Sequence, residues 1–516
     1  MVSIKSEEEF DKLLQSMLPL DEYCDRNLIN SSCEGYMLFN TKKLDPRYNN
    51  SSAFQIALFS LNTAAATLYL ALMEYTAYFV NGIIGFSVVL TSVILTGLRV
   101  FDGLIDPFIG YIVDKTEGKY GKFRPFMVFG NALMAISSLL LYYCSYTMPK
   151  IIRLPIFVLI YIIFVIGYTF QMLVAKAGQT VMTNNPKMRP LSTYFDSLFI
   201  TSSYGGTALY AQSFLTKKYG GFQNPKLYQE LTLWIVLIGG ICTICAVFGI
   251  WSKDRKEYYG RSDQVTDLKV KDYLSILKHN KPIRMLVTAA SVNKFTSMVY
   301  SNITVGVIIF GIMMKNYELS GQIGLVTAIP NLIVVSIGVM VAQRLGQKKA
   351  FESFTWLAIG FQILMTFLLL FGNLTQIGLT KWNMISILFF GTFIFLNGCK
   401  AVSNNIVTPM IADCSDYEVY RSGNYVPGIM GALFSLIDQV VSAFGTAFVG
   451  LVVAMIGFRN SLPQIEDKLT GSLKMVAILC YCIIPIGGWL VSLLSMKYYS
   501  LDKEKMREIN LKNSNL

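Results

Sequence analysis

Histidine is almost absent from this 516-residue chain: His279 stands alone, so histidine-based metal chemistry and a histidine-containing catalytic triad are excluded. Charge is scarce too, at 15% Asp, Glu, Lys and Arg. The nine cysteines are scattered. Neither Cys242-x-x-Cys245 nor Cys480-x-Cys482 has a second pair at metal-site spacing, and they read as apolar filler. No phosphate-cradling loop is present, which excludes an ATP-driven pump within this chain. Residues 1–52 are polar and charged and lack a basic segment followed by an apolar one, so they read as a cytoplasmic tail and not as a cleavable signal. Glu7 to Met17 has the spacing of a short amphipathic helix within that tail.

What the chain has in abundance is apolar sequence, 53% of its residues, with a mean hydropathy of +0.48. A hydrocarbon core about 30 Å thick calls for roughly 20 apolar residues per helical crossing, and about twelve such runs lie between Phe54 and Lys497. Outer-membrane strands would alternate apolar and polar residues, and these runs do not. The expected fold is therefore all-α, with twelve transmembrane helices in two six-helix halves. The longest internal polar stretch, from Lys253 to Arg284, divides the runs six and six. The expected organisation is a cytoplasmic tail (1–52), an N-terminal half (53–252), a cytoplasmic linker (253–284), a C-terminal half (285–497) and a cytoplasmic C-terminal tail (498–516). The connectors after the second and eighth runs, Asp114 to Arg124 and Gln343 to Phe351, are both short, basic and glycine-containing, a weak echo of duplication.

The net charge of +12 does not indicate nucleic acid, because the basic residues sit in connectors and not on one solvated face. With a cytoplasmic N-terminus, the inner connectors carry roughly nineteen Lys and Arg against roughly ten in the outer ones, as the positive-inside rule requires. Both termini are then cytoplasmic. The expected setting is the plasma (inner) membrane, with the lipid bilayer as partner, a monomeric state and no enzyme activity.

Charges inside apolar runs are costly, roughly 2.5 to 3.5 kcal/mol each at mid-bilayer, so each calls for a partner or a task. The second run is the densest: Arg99, then Asp102 and Asp106 four residues apart and hence on one helix face. Two carboxylates so placed repel unless a cation or proton lies between them. Pro107 removes the hydrogen bond to the Gly103 carbonyl, leaving that oxygen beside both acids as a further cation ligand. The alternative is that the aspartates only pair with Arg99 and a neighbouring lysine. Lysines stand at Lys176, Lys294 and Lys400. By depth along antiparallel helices, Lys400 is expected to meet Asp438, and Lys176 to meet Asp196. Glu74 is either another cavity charge or an interfacial residue. Paired lysines would suit a neutral sugar; an unpaired one would favour an acidic solute.

At this point the run RVFDGLIDPFIGYIVDKTEGKYGKFRPF, from Arg99 to Phe126, resembles the signature of the glycoside-pentoside-hexuronide:cation symporter family, which includes melibiose permeases. The stretch from Asp413 through Asp416 and Tyr417 to Gly428 resembles it too, and the similarity covers roughly residues 54–500. The resemblance implies a major facilitator fold whose first, fourth, seventh and tenth helices line the cavity. It implies cation-coupled symport of a sugar or glycoside by alternating access, with Asp102 and Asp106 in the cation site and Na+, H+ or Li+ as coupling ion, and no cofactor. The basic connector from Lys115 to Arg124 is either a lipid-binding patch or, as the resemblance implies, part of a cytoplasmic gate formed by Asp114, Gly121, Lys122, Arg124, Asp413 and Asp416. This chain departs from the family where a lysine is common midway along the eleventh helix; Gln439 falls there, with Asp438 beside it. The fourth helix reads Gln171 to Gln179, without the aspartate and tryptophan that hold the sugar in melibiose permeases, and Asn62 to Ala66 lacks their first-helix carboxylate. Candidates for solute recognition are Tyr168, Gln171, Gln179, Lys400, Asn404, Asn405 and Gln439. Two rival readings are a proton-coupled or uncoupled carrier of an acidic solute such as a hexuronide, and a transport-incompetent membrane sensor.

Overall fold

The computed structural model describes residues 51–116, 118–183, 189–255, 280–380, 383–422 and 427–513. The expected helix from Glu7 to Met17 and His279 lie outside them. Among the described residues every regular element is helical. The helices are α1 (Ala53–Ile84), α2 (Val88–Lys115), α3 (Arg124–Thr147), α4 (Lys150–Met182), α5 (Arg189–Ala208, extended by a π-helical turn Leu209–Leu215), α6 (Pro225–Ile250), α7 (Lys281–Tyr300 with Ile303–Met313), α8 (Glu318–Leu345), α9 (Gln347–Phe371), α10 (Met384–Ser422), α11 (Pro427–Met455), α12 (Gly471–Lys497) and α13 (Lys503–Asn513).

Ten of these are long and apolar enough to cross a membrane, and eleven when the bent α7 is taken as one crossing. The count of twelve falls short at α5. It occupies its expected place, but Ser192, Thr193, Asp196, Ser197, Thr201, Ser202 and Ser203 dilute its apolar face. Lipid-facing stripes are explicit elsewhere. On α6, Leu233, Leu237, Ile241, Ile244 and Phe248 recur at three- and four-residue intervals and are 48%, 59%, 61%, 59% and 65% exposed, the apolar face expected of a helix set against lipid tails. The chain is a multi-pass membrane protein.

α7 is broken for local reasons. Asn280 caps its start, its side chain accepting from the Ile283 backbone N–H. Asn302 caps the restart in the same way on Thr304. Between the two half-helices the axis bends by 48° directly after Tyr300.

By contact the chain groups into two compact units. The first holds residues up to Met73, Ile105–Thr207 and from Tyr228 to the end of α6. Its core joins Phe59, Ile109, Phe123, Met127, Phe170, Val174 and Ile250. α3 and α4 cross at glycines: a Cβ on Gly130 would stand 2.8 Å from the Gly167 carbonyl oxygen, and one on Gly167 would stand 2.8 Å from that of Gly130. Small residues at such crossings let backbones meet where water supplies no driving force.

The second unit holds Glu74–Leu104, Ala208–Leu227 and the described chain from α7 onward. In it α7 packs on α11 and α12, α9 on α10, and α8 on α10. The tips of α1, α2 and α5 belong here, and those of α1 and α2 are bound to the chain that follows α11. Asn81 donates to the carbonyls of Phe86 (2.8 Å) and Asn460 (2.9 Å) and accepts from the Leu462 N–H (2.7 Å). Val88 N–H donates to the Arg459 carbonyl at 2.9 Å, and the Tyr78 hydroxyl to that of Pro463 at 3.0 Å. At the end of α5, Ser213 donates to the Glu318 carbonyl at 2.8 Å, and Lys217 pairs with the Glu318 side chain at 2.8 Å.

Candidate functional site

α2 runs unbroken through the Asp-Gly-Leu-Ile-Asp turn, so the spacing read from the sequence holds in space. Asp102 and Asp106 are both half-buried and Gly103 is buried. Neither aspartate is without an interaction partner. Arg99, one turn earlier, has its guanidinium 3.6 Å from Glu74 and 3.7 Å from the Met298 sulfur. Glu74 is thus the partner of an intramembrane arginine, not a lone interfacial charge. At Gly103 this turn is approached by α11. A Cβ on Gly103 would lie 2.4 Å from Gln439 Oε1, so the absence of a side chain at Gly103 is what lets the amide reach the backbone between the two acids. A neutral side chain with an acceptor oxygen occupies the position where the resemblance leads one to expect an ammonium.

The lysines pair differently from the expectation. Asp438 meets Lys294, Nζ to Oδ2 3.1 Å, both half-exposed. Lys400 lies with its Nζ 3.2 Å from the centroid of the Tyr300 ring and 3.5 Å from Asn397 Oδ1. Equal depth along two helices fixes height but not azimuth, and α10 turns Lys400 toward the end of the first half of α7. Among the described residues no carboxylate forms an ion pair with it. A cation over an aromatic face gains about 0.5 to 2 kcal/mol, which falls short of the mid-bilayer cost of an ammonium. Tyr300 is itself fixed by Tyr481, which comes from a π-helical turn at Leu479–Ile483: the rings stack at 4.2 Å and the hydroxyls meet at 2.9 Å. Such π-turns recur at functional positions. Beside Lys400 and Tyr300 is a cavity of about 10 Å³, enough for one water-sized group. Asn293, Ser297, Ser403, Asn404 and Trp489 line it. Asn405, next along α10, is exposed.

In the first unit the expected Lys176–Asp196 pair does not form. Asp196 accepts from Gln179 Nε2 at 2.6 Å, while Lys176 is exposed. Gln179 is one residue short of a full turn beyond Lys176, and its shorter side chain ends in the amide that takes the carboxylate. Gln171 is 0% exposed and donates to Thr243 Oγ1 at 3.0 Å, while its own carbonyl accepts from Asn62. Its amide therefore joins α4 to α6 and is not presented to a solute. Tyr168 is half-buried and stacked on Phe164.

The basic connector after α2 is built around a residue that the sequence reading passed over. Asp254, just past the end of α6, has its carboxylate fully buried. It accepts from the backbone N–H of Lys122 (2.9 Å), Phe123 (3.1 Å) and Arg124 (3.0 Å) and from Arg124 Nε (3.2 Å). The Arg124 guanidinium also stacks 4.5 Å over Trp251. Gly121 makes the turn at φ +92°, and a Cβ there would stand 2.2 Å from Asp254 Oδ2, so both its conformation and its space require glycine. The signal in the sequence was a lone acid at the start of a polar linker. The second unit has a counterpart at the end of α10, where Glu418 is buried, accepts from Asn280 at 2.8 Å and pairs with Arg421 at 2.5 Å. Asp416 is half-buried. Asp413 lines a wider cavity of about 550 Å³ with Lys348, Lys503 and Arg507. The Asp114 side chain lies outside the described residues.

The sequence model of the family described as "MFS/sugar transport protein" matches residues 59–503. Among curated proteins, the putative glycoside/cation symporter YagG of Escherichia coli (strain K12) is 23% identical over 456 residues, covering 87% of this chain and 92% of its own length. The isoprimeverose transporter of Lactiplantibacillus pentosus is 23% identical over 451 residues, covering 86% and 88%. Among solved structures, a D-xylose-proton symporter superposes with a TM-score of 0.59 at 14% identity, over 87% of this chain and 98% of the other.

Proposed function

The chain belongs to the MFS/sugar transport protein family, and on that premise we propose that it is a secondary active transporter carrying a sugar or glycoside together with a cation by alternating access. Relatives described as a glycoside/cation symporter and an isoprimeverose transporter support that solute class. The observation that carries the reading is the α2 turn: two half-buried aspartates one helical turn apart, with the Gln439 amide oxygen against the glycine between them. A carboxylate pair of this kind favours whichever conformation lets a positive charge approach it. Na+, Li+ and H+ all meet that requirement. The driving force suffices, since one charge moving down about 100 mV supplies about 2.3 kcal/mol, roughly fortyfold accumulation of a neutral solute. The distribution of basic connectors supports cytoplasmic termini, and we take the protein as a monomer in the plasma (inner) membrane.

The test is uptake of radiolabelled glycosides by proteoliposomes under imposed Na+, Li+ or H+ gradients. Accumulation above equilibrium with one of these ions is expected; sugar flux indifferent to all three would leave a facilitator and remove the coupling. A finer outcome concerns Gly103. Gly103→Ala is expected to fold normally, because the atom it displaces is the end of a flexible side chain. It should raise the cation concentration for half-maximal uptake about three- to tenfold, the worth of one hydrogen-bonding contact. Gln439→Ala should reproduce the change, and a normal cation response in both variants would remove Gln439 from the site.

A further inference from the structure

We infer that the cavity of about 550 Å³ where α8 meets α9 holds the headgroup of a membrane phospholipid, and that this headgroup carries a primary amine beside its phosphate, as in phosphatidylethanolamine. The cavity lies wholly within the second unit, and Gln343, Gln347, Lys348, Asp413, Lys503 and Arg507 line it. Two of its three cations are anchored to main chain. Lys348 donates to the Tyr499 carbonyl at 2.7 Å and Lys503 to the Arg344 carbonyl at 2.8 Å, which ties the start of α9 to the chain after α12, and α13 to the end of α8. Arg507 stands one turn beyond Lys503 on the same face of α13 and is exposed. Among the described residues it forms no ion pair. Its planar guanidinium is the donor fork that a phosphate accepts.

Two acceptors in the same lining lack donors. The half-buried Asp413 pairs with no cation among the described residues, although three cations share the cavity with it. Gln347 Oε1 is shut from solvent and accepts from no donor. Acceptors so placed are costly unless an N–H reaches them. A primary ammonium brings three N–H donors and the charge complement of Asp413. A trimethylammonium brings the charge without a donor, and a purely anionic headgroup would set like charge against Asp413. The approach to the cavity identifies the ligand as a lipid. Along α8 the exposed Ile329, Ile333, Ile337 and Met340 follow one another at three- and four-residue intervals, and the next position on that stripe is Gln343, in the cavity wall. An acyl chain laid on this stripe leads to the headgroup's place. α13 buries Met506 and Ile509, so the face it leaves outward is the basic one.

The experiment titrates the detergent-purified full chain with dioleoyl lipids that differ only in headgroup and reads the bound fraction by native mass spectrometry. Phosphatidylethanolamine should bind about tenfold more tightly than phosphatidylcholine or phosphatidylglycerol, the worth of one charge-assisted hydrogen bond. Asp413→Asn should erase the difference between the ethanolamine and choline lipids. Arg507→Gln should weaken both by a similar factor and keep their order, because both carry the phosphate. Equal binding of the two by the wild type overturns the inference, and so does a preference for phosphatidylglycerol, which would mark a plain basic patch. An ethanolamine preference that survives Asp413→Asn overturns it as well. Glycerophosphoethanolamine, the same headgroup without chains, should compete only at far higher concentration; competition at the lipid's own concentration would give the cavity to a soluble zwitterion and overturn the lipid. Should Asp413→Asn fail to fold, stepwise N-methylation of the headgroup decides alone: affinity for the wild type should fall with each N–H removed, and a flat series overturns the inference. These readouts involve no transport, so their failure leaves the symport proposal standing.

Discussion

Asp102→Asn is expected to abolish gradient-driven accumulation while solute exchange across the same membrane persists. The carboxamide keeps the shape of the carboxylate and removes its charge, so the protein still cycles with solute but no longer prefers a cation-loaded state. Accumulation driven by a potential of about 100 mV should then collapse from roughly fortyfold to unity. Asp106→Asn should act in the same direction, because the two acids lie on one face of one continuous helix. Counterflow with and without an imposed ion gradient measures both properties on the same liposomes. An Asp102→Asn protein whose uptake still follows the gradient would end the assignment of coupling to α2.

The largest structural effect is expected at Asp254. Its buried carboxylate accepts three backbone N–H groups and the Arg124 Nε–H. Asp254→Ala removes every one of those acceptors at once and leaves a partly buried guanidinium facing unsatisfied amides. Breaking a buried pair from one side costs about 3 to 5 kcal/mol. Thermal unfolding of the detergent-purified protein should show a large fall, and uptake should be lost with it. Asp254→Asn keeps one acceptor oxygen and should fall between wild type and alanine. A melting temperature for Asp254→Ala equal to that of the wild type would mean that the connector is held by something other than this carboxylate.

Much of this was written in the order of residues, and the parts that were not share a physical cause. Helix positions were legible because a hydrocarbon core imposes a length on every crossing, and the observed ends of α3 and α12 lie close to the ends of the apolar runs, whereas α10 continues to Ser422, well past its apolar run. α5 was legible as a helix only by its place in the series, since its hydroxyl-rich face weakens the apolar signal. The candidate coupling turn was legible because it is local: Asp102, Gly103 and Asp106 fall within five residues of one helix. Partnerships were not. Lys400 was assigned to Asp438 by depth alone, and the rotation of α10 gave Asp438 to Lys294. Lys176 lost Asp196 to Gln179 by the same ambiguity. Asp254 was missed because its role lies in backbone N–H groups more than 120 residues earlier in the chain, and a main-chain donor carries no letter in the sequence.

The same property bears on the Asn81 amide, whose three bonds all end on main-chain atoms, two of them in the segment after α11. The side chains of residues 459–462 are therefore free to drift without loosening this clasp, provided the loop keeps its path. Asn81 has no such latitude. An aspartate there would turn a donor toward two carbonyls into a third acceptor, and a leucine would strand all three groups, so one amide sets the fidelity of a closure whose other side is nearly indifferent to what it is made of.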